Sequence, residues 1–149
     1  MQEFQVEVKW QGSTLGDYSR NATANIGGKP TIPLSASPSY GGDGHSWNPE
    51  DLLGASLSMC HLLTFLALAH KFKVDVLSYQ DNTRVVLDTK DRVTRVTQII
   101  LSPDIQVAAE TDVNKVGELF QKAHKFCFIG HSITSEVVMT PNITTYSPG

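Results

Sequence analysis

Alternating apolar and polar residues open the chain and predict an antiparallel meander. The first alternating stretch spans residues 4–10 and the second about 18–26, and strict alternation is typical of half-buried strands. Gly-Gly-Lys-Pro at 27–30 predicts a turn, followed by a short strand at 31–34. Because Pro33 has no backbone donor, this third strand is expected at a sheet edge.

The longest apolar segment predicts a helix at 49–71. Asn48 suits the N-cap, Pro49 suits the first helical position, and Asp51 can complete a capping box. The part from Leu52 to Ala69 contains no Asp, Glu, Lys or Arg. It is close to the lower length limit of a membrane span, but its Gly, Ser, Cys, His and Thr residues favour a fully buried helix and no membrane. A chain of this size can hardly cover such a helix alone, which predicts a homodimer with the helix at the interface.

Two Val-, Ile- and Thr-rich segments, 73–88 and 93–110, predict two further strands joined near 89–92. Pro103 is expected to break or bulge the second strand. Together these segments form a predicted β-hairpin.

The final third of the chain predicts a second helix and a closing strand. Thr111 or Asp112 is the expected cap, and a closing strand is expected at 136–140, with a tail or edge strand at 142–149. The helix has apolar residues at spacings of three and four, namely Val113, Val116, Phe120, Ala123 and Cys127. The order of elements predicts an α+β fold in a single domain spanning residues 1–149.

Charge and cysteine content narrow the class of function. The 12 basic and 15 acidic residues give a net charge of −3 without a basic run, which disfavours nucleic-acid binding. The first ten residues do not have the pattern of a secretory signal, so a cytoplasmic location is expected. In that compartment a disulfide is transient rather than structural.

Two cysteines are the main candidates for chemistry, because both lie on predicted inward faces. Cys60 lies within the first helix and Cys127 at the end of the second apolar stripe. They are either small buried hydrophobes or the two thiols of a redox cycle.

Arg20 and Glu50 are the candidate charged partners of Cys60. Arg20 shares the parity of the inward residues of its strand. It either extends outward to solvent at the strand end or is buried, and a buried guanidinium needs an anion, which a thiolate and a carboxylate supply. Glu50 precedes Cys60 by ten positions on one helix, which is roughly 15 Å along the axis. A role for Glu50 at Cys60 therefore requires a second subunit.

Three alternatives stay open at this point. The first is a zinc site from Cys60, His124, Cys127 and His131, whose spacing matches no compact zinc pattern. The second is a Cys-His acyl-transfer dyad with His124 or His131 as base. The third is a non-catalytic dimeric binding module for an apolar ligand. The sequence assigns no role to His61.

The chain resembles the OsmC/Ohr family of osmotically inducible and organic-hydroperoxide-resistance proteins. The resemblance rests on 47–53 (WNPEDLL), on Cys60-His61 after it, and on 127–133 (CFIGHSI). It covers nearly the whole chain. The better-characterised branches have proline after the second cysteine, where this chain has Phe128, so it resembles a less characterised OsmC-like subgroup.

This resemblance implies a thiol peroxidase built as an intertwined homodimer with its sites at the interface. Cys60 would be the peroxidatic cysteine, Cys127 the resolving cysteine, Arg20 the thiolate partner and Glu50 its carboxylate. The implied reductant is a dithiol, of the lipoyl type in the organic-hydroperoxide branch, and no metal or bound cofactor is used. Apolar surroundings of Cys60 favour an organic hydroperoxide over hydrogen peroxide as substrate. The apolar surroundings expected for Cys60 are Leu57, Leu63, Phe120, Phe126 and Phe128.

Overall fold

The computed structural model describes residues 1–148, which divide into two compact units, Met1–Leu52 and a second that begins at Leu53. The strands are β1 (Glu7–Lys9), β2 (Ala22–Asn25), β3 (Ile32–Leu34), β4 (Val76–Asp81), β5 (Arg84–Lys90), β6 (Val93–Leu101), β7 (Pro103–Val107), β8 (Glu136–Met139) and β9 (Asn142–Thr145). The helices are α1 (Pro49–Lys71) and α2 (Val113–Phe126). Short 3-10 turns lie at Pro38–Tyr40 and Gly130–Ser132. The predicted α+β class is confirmed.

The first unit contains the predicted meander, with β2 between β1 and β3 in antiparallel pairing. Its strands are shorter than the alternating stretches suggest. Phe4, Val6 and Val8 share one parity and are all exposed, so no packing extends β1 beyond three residues. The loop that follows is held by Ser35, whose hydroxyl donates to Asn21 Oδ1 and accepts from the Asp43 amide, both at 2.9 Å.

Helix α1 has the predicted bounds and the predicted cap. The Asn48 amide donates to Asp51 Oδ2 at 3.0 Å and the Asp51 amide donates to Asn48 Oδ1 at 2.8 Å, which is a reciprocal capping box. The helix begins in the first unit and continues into the second.

In the single chain α1 buries one face. The buried residues recur at spacings of three and four and are Gly54, Leu57, His61, Phe65 and Ala69. On other sides Met59 and Leu63 are 52% and 53% exposed. Among the described residues α1 alone is long and apolar enough to span a membrane, although core helices of soluble proteins have the same length and composition.

The predicted hairpin of two strands is wrong, because the second unit has four strands in this part of the chain. Segment 73–88 contains two strands, β4 and β5, and segment 93–110 contains β6 and β7. Two three-stranded sheets result, β4-β7-β9 and β5-β6-β8, with β8 and β9 pairing in parallel with β6 and β7. The β5–β6 hairpin turns at Asp91 and Arg92, which have φ of 53° and 65°, as a tight two-residue turn requires.

Asp81 explains why β4 ends where it does. Its Oδ2 accepts from the hydroxyls of Ser58 and Thr83, each at 2.6 Å, and its Oδ1 accepts from the Ser102 amide at 2.8 Å. Ser58 belongs to α1, whereas Ser102 lies between β6 and β7. The carboxylate therefore fixes α1 against both breaks in the strands, and these breaks separate the two sheets.

Two apolar clusters form the core of the second unit. One joins α1, β7 and α2 through buried residues that include Phe65, Ile105 and Phe120. The other joins α1 and β6 to the segment after α2, through Leu57, Ile99, Leu101 and Cys127. Helix α1 thus contributes its later turns to the first cluster and its earlier turns to the second.

Helix α2 begins as predicted, because Asp112 Oδ1 accepts from the Asn114 amide at 3.0 Å. Its buried stripe differs from the prediction at two positions: Val113 is exposed and Leu119 is buried. Cys127 is buried as expected, but it is the C-cap with extended backbone rather than a residue of the last turn.

His61 is an unexpected member of the core. Its side chain is 0% exposed and its ring lies 4.4 Å from the Phe120 ring, centroid to centroid. Burial is the main cause that lowers the pKa of His61 to about 4; the Phe120 backbone and Asp81 act in the opposite direction, whereas the nearby His124 acts in the same direction as burial. The imidazole is therefore neutral at pH 7.

Two helical glycines are expected to respond oppositely to alanine. A Cβ on Gly54 of α1 would lie 2.5 Å from Val85 Cγ2, whereas a Cβ on Gly117 of α2 would lie 3.7 Å from Ile143 Cδ1. Alanine gains about 1 kcal/mol of helix propensity, but overpacking costs about 1–3 kcal/mol. We expect Gly54→Ala to lower the free energy of unfolding and Gly117→Ala to raise it by about 0.5–1 kcal/mol, as measured by urea denaturation. An equal gain in both variants would contradict tight packing at Gly54.

Stability is expected to fall with acid because of His61. The unfolded chain binds a proton on this residue with a pKa of 6.5, whereas the folded chain binds it only near 4. Between these values the unfolded state takes up more protons, so its free energy drops relative to the native state. Urea unfolding should show a loss of at most about 2 kcal/mol from pH 7 to pH 5. His61→Leu should lack this loss of stability. If the unfolding free energy of this variant still depends on pH as in the wild type, His61 is not the cause.

Candidate active site

Cys60 lies near the middle of α1 and is half-buried, with a free thiol. It packs against the apolar cluster that contains Leu57, Ile99 and Cys127. Its backbone carbonyl accepts a hydrogen bond from the Thr64 hydroxyl at 2.9 Å. The helix therefore holds a half-buried cysteine at the border of the core.

Cys127 is 0% exposed and also has a free thiol. Its Sγ accepts a hydrogen bond from the Gly130 amide at 3.4 Å, because the 3-10 turn after α2 folds back over it. Burial raises the pKa of the Cys127 thiol, and the neighbouring Cys60 thiol raises it further. The amides of Gly130 and Ile129 act in the opposite direction. The structure thus brings the two thiols together from separate helices.

The apolar surroundings of the thiols differ from the expected set. Leu57 and Phe120 are fully buried as expected. Leu63, Phe126 and Phe128 are exposed, Phe128 to 81%. The chain turns sharply after Cys127, and this turn directs the Phe128 side chain outward. Strand β6 supplies the missing lining through Ile99 and Leu101.

Arg20 lies in the first unit and is half-buried, like Ala22 and Ala24 of the same parity. Its Nη1 donates to the Tyr18 carbonyl at 2.8 Å and its guanidinium carbon lies 4.0 Å from the centre of the Tyr18 ring. Gly41, at a φ of 80°, allows close approach from the other side, since a Cβ there would lie 3.1 Å from the guanidinium carbon. The guanidinium is thus held between an aromatic ring and a bare backbone.

An open cavity of about 400 Å³ adjoins Arg20 within the first unit. It is lined mainly by apolar surface, including that of Trp10, Tyr18, Ala36 and Pro49. A cavity of this size and composition suits a small apolar molecule with one polar group.

Glu50 lies in the first turn of α1 and is half-buried. Within residues 1–148, no hydrogen bond joins Glu50 to the Arg20 guanidinium, which donates to the Tyr18 carbonyl and stacks on the Tyr18 ring. The roles inferred for Arg20 and Glu50 from the family resemblance remain predictions.

The positions of the histidines differ from those that the zinc alternative requires. No group of three or more His, Cys, Asp or Glu residues in the described chain is placed to hold a metal ion. The His131 ring is hydrogen-bonded to the Lys125 carbonyl at 2.6 Å instead. Sequence reasoning missed His61, although its position in the row formed by Leu57 and Phe65 signals burial at helical spacing.

Comparison with known proteins shows the family to which this chain belongs. The family model of the OsmC-like proteins matches residues 42–142. An OsmC-like protein of unknown function from Vibrio cholerae is 30% identical, with a TM-score of 0.87 over 95% of this chain and 99% of that one. No match to the chain was found among curated proteins.

Two more distant structures have the same fold. An organic hydroperoxide resistance protein OsmC from Legionella pneumophila is 20% identical, with a TM-score of 0.64 over 95% of this chain and 97% of that one. An organic hydroperoxide resistance protein from Bacillus subtilis is 19% identical, with a TM-score of 0.62 over 95% and 98%. From the family match and the Vibrio cholerae relative together, the chain belongs to the OsmC-like family.

Proposed function

We propose that this protein is a thiol-dependent peroxidase that reduces organic hydroperoxides. The observation that carries the proposal is the pair of free thiols, of which Cys60 is half-buried and Cys127 is fully buried beside it. A peroxidatic thiol must be accessible to the peroxide, whereas a resolving thiol needs only to reach the first sulfur. The names of the Legionella pneumophila and Bacillus subtilis relatives are consistent with this chemistry.

The proposed cycle has three balanced steps. The Cys60 thiolate attacks the distal oxygen of the hydroperoxide, forms a sulfenic acid and releases an alcohol after protonation. The Cys127 thiol then attacks the sulfenic sulfur, so that a disulfide forms and water leaves. An external dithiol reduces this disulfide by thiol–disulfide exchange and is itself oxidised.

Arg20 is proposed to supply the positive charge that this chemistry requires. The guanidinium would stabilise the Cys60 thiolate and the charge that develops on the peroxide oxygens. Its described contacts are a carbonyl, a ring and a glycine, and none of these is an anion. The charge is therefore not neutralised by these contacts, and we propose that Glu50 of the partner subunit orients it.

An organic hydroperoxide is the proposed substrate class because the residues packed around the two thiols are apolar. Hydrogen peroxide gains no binding free energy from apolar surface, whereas an alkyl or aryl group gains about 25 cal/mol per Å² of apolar area that it buries. A dithiol, possessing two sulfurs on one molecule, is the proposed reductant.

Two exposed apolar faces support the proposed homodimer. On α1, Met59, Leu63 and Leu66 are all exposed at spacings of three and four. In the segment before β1, Phe4 and Val6 are exposed at alternate positions. Contiguous apolar faces of this kind in a soluble protein mark interaction sites. A cytoplasmic location is likewise proposed and follows from the reduced thiols that the cycle needs.

Cys60→Ser is expected to abolish turnover. Consumption of cumene hydroperoxide in the presence of dithiothreitol should fall by more than about 100-fold, because a serine hydroxyl is not ionised at neutral pH. Cys127→Ser is the matched control. It should consume about one equivalent of peroxide per chain when no external thiol is present, since only the resolving step is removed.

Retained turnover in Cys60→Ser would exclude the proposed peroxidase. The apolar cavity in the first unit would then favour a binding module for an apolar ligand. Fluorescence titration with a small apolar dye distinguishes the two functions, because such binding should be unchanged in Cys60→Ser.

Size-exclusion chromatography with light scattering is expected to give twice the chain mass of 16.3 kDa. Leu63→Lys should shift the protein toward the monomer, because a charge is then placed within the exposed apolar face of α1. Val93→Lys is the control, since Val93 is 56% exposed at the β5–β6 turn. A wild-type mass equal to one chain would contradict a role for the partner's Glu50.

A further inference from the structure

The guanidinium of Arg20 is enclosed on both of its flat faces within the first unit. On one face, the centre of the Tyr18 ring lies 4.0 Å from the guanidinium carbon. The backbone of Gly41 approaches so closely that a Cβ there would lie 3.1 Å from Cζ and 3.3 Å from Nε and Nη1. Because Cζ is the nearest of these atoms, this approach is onto a flat face, and an atom at that distance would not fit between the guanidinium and the ring. Tyr18 and Gly41 therefore form the two walls of a slot.

A hydrogen bond in the plane of the guanidinium fixes its position within the slot. Nη1 of Arg20 donates to the Tyr18 carbonyl at 2.8 Å. A guanidinium has five N–H donors in one planar fork, so this bond occupies only part of its edge. Carboxylates and other anions bind to such an edge in the plane of the fork. The slot thus closes the faces of Arg20 and leaves the edge for an anion.

Glycine is the residue that suits the second wall of the slot. Gly41 ends the 3-10 turn at Pro38–Tyr40 with a φ of 80°, and its amide donates to the Pro38 carbonyl at 3.0 Å. Residues with a Cβ are disfavoured in this left-handed conformation. The same position also has no room for a Cβ without displacement of the guanidinium. The turn and the slot therefore both call for glycine.

The loop that contains Gly41 is tied to the segment beside Arg20. The Ser35 hydroxyl donates to Asn21 Oδ1 and accepts from the Asp43 amide, both at 2.9 Å. Ser35 is only 6% exposed, so water competes little for these hydrogen bonds. Because Asn21 follows Arg20 directly in the chain, the two bonds limit how far Gly41 can move away from the guanidinium.

A fixed guanidinium is what the proposed chemistry requires of Arg20. An arginine side chain that is free to move populates many rotamers, and ordering it costs entropy. Electrostatic stabilisation in catalysis is most effective when the charged group is already in place. In the proposed cycle Arg20 stabilises the Cys60 thiolate and the charge on the peroxide oxygens. A slot that orders the guanidinium in advance removes this cost from each turnover.

We propose that Tyr18 and Gly41 are positioning residues whose slot holds the guanidinium of Arg20 and directs its edge to the anions of the cycle. Tyr18 supplies the ring and the carbonyl, and Gly41 supplies the second wall. In this role both residues act through Arg20 and not on the reacting atoms. The inference rests on the proposed peroxidase function and identifies the parts of the first unit that make Arg20 effective in it.

The slot is tested by altering each wall. Tyr18→Leu removes the ring but keeps the carbonyl that accepts from Nη1, whereas Gly41→Ala places a methyl group against the guanidinium. In both variants the second-order rate constant for cumene hydroperoxide should fall about 5- to 50-fold, since a small misplacement of a catalytic group has effects of this order. The pH profile of Cys60 alkylation by iodoacetamide should also shift to higher pH, because the thiolate loses its counter-charge.

Two matched variants separate the slot from general effects on folding. Gly28→Ala is the control for Gly41→Ala, because Gly28 has a φ of 81° but a Cβ there would meet nothing within 4 Å in the described chain beyond its direct neighbours. It imposes the same backbone strain and should keep the wild-type rate. Tyr18→Phe keeps the stacked ring and should recover most of the rate that is lost in Tyr18→Leu.

A double-variant comparison shows whether Tyr18 acts through Arg20. Arg20→Gln should produce the largest loss of rate of these variants, because it removes the charge itself. Adding Tyr18→Leu to Arg20→Gln should then cause no further loss, since a residue that acts only by holding another has no effect once that other is gone. Circular dichroism of each variant establishes that it is folded. If one wall variant does not fold, the other decides.

The possible failures are distinguishable. A wild-type rate in both wall variants, equal losses in Gly28→Ala and Gly41→Ala, no recovery in Tyr18→Phe, or additive losses with Arg20→Gln would each overturn the slot while the peroxidase function stands. A wild-type rate in Arg20→Gln would overturn the slot together with the proposed role of Arg20. Absence of peroxide consumption by the wild-type protein with dithiothreitol would overturn the proposed function itself.

Discussion

The structure depends on one constraint, which is that α1 is apolar around its whole circumference. A helix of 23 residues with almost no charged positions must be covered on every side. Within the second unit, two sheets and α2 cover one face, and Asp81 fixes the helix where those sheets separate. Met59, Leu63 and Leu66 are left exposed. The same requirement that fixes the fold therefore also supports the proposed homodimer, and Cys60 lies one residue from Met59 on this helix.

The elements that the sequence predicts well are those set by local physics. The bounds of α1 follow from Asn48, Pro49 and Asp51, and the start of α2 follows from Asp112, because capping is a contact between neighbours in the chain. Between the helices, by contrast, the sequence pattern predicts two strands where the structure has four. Their breaks depend on Asp81, whose partners Ser58 and Ser102 are remote in sequence, and no periodicity reveals such a contact.

The candidate site likewise has features that the local sequence predicts and features that depend on tertiary packing. Helical spacing predicts that Cys60 and Cys127 point inward, and they do meet in one cluster. The outward direction of Phe128 depends on the turn after α2, and the burial of His61 depends on the Phe120 ring of another helix. Both are results of tertiary packing. The family resemblance, by contrast, was correct because it rests on segments of specific residues at characteristic positions.

The position of Cys127 as the C-cap of α2 has a mechanical consequence. Its amide reaches the His124 carbonyl over a long 3.4 Å hydrogen bond, and its backbone is already extended. The residue can therefore swing towards a neighbouring sulfur without unwinding the turns that hold Phe120 and Ala123 in the core. In the proposed cycle, a disulfide between the two cysteines would therefore involve the end of α2 and not the helical turns that lie in the core.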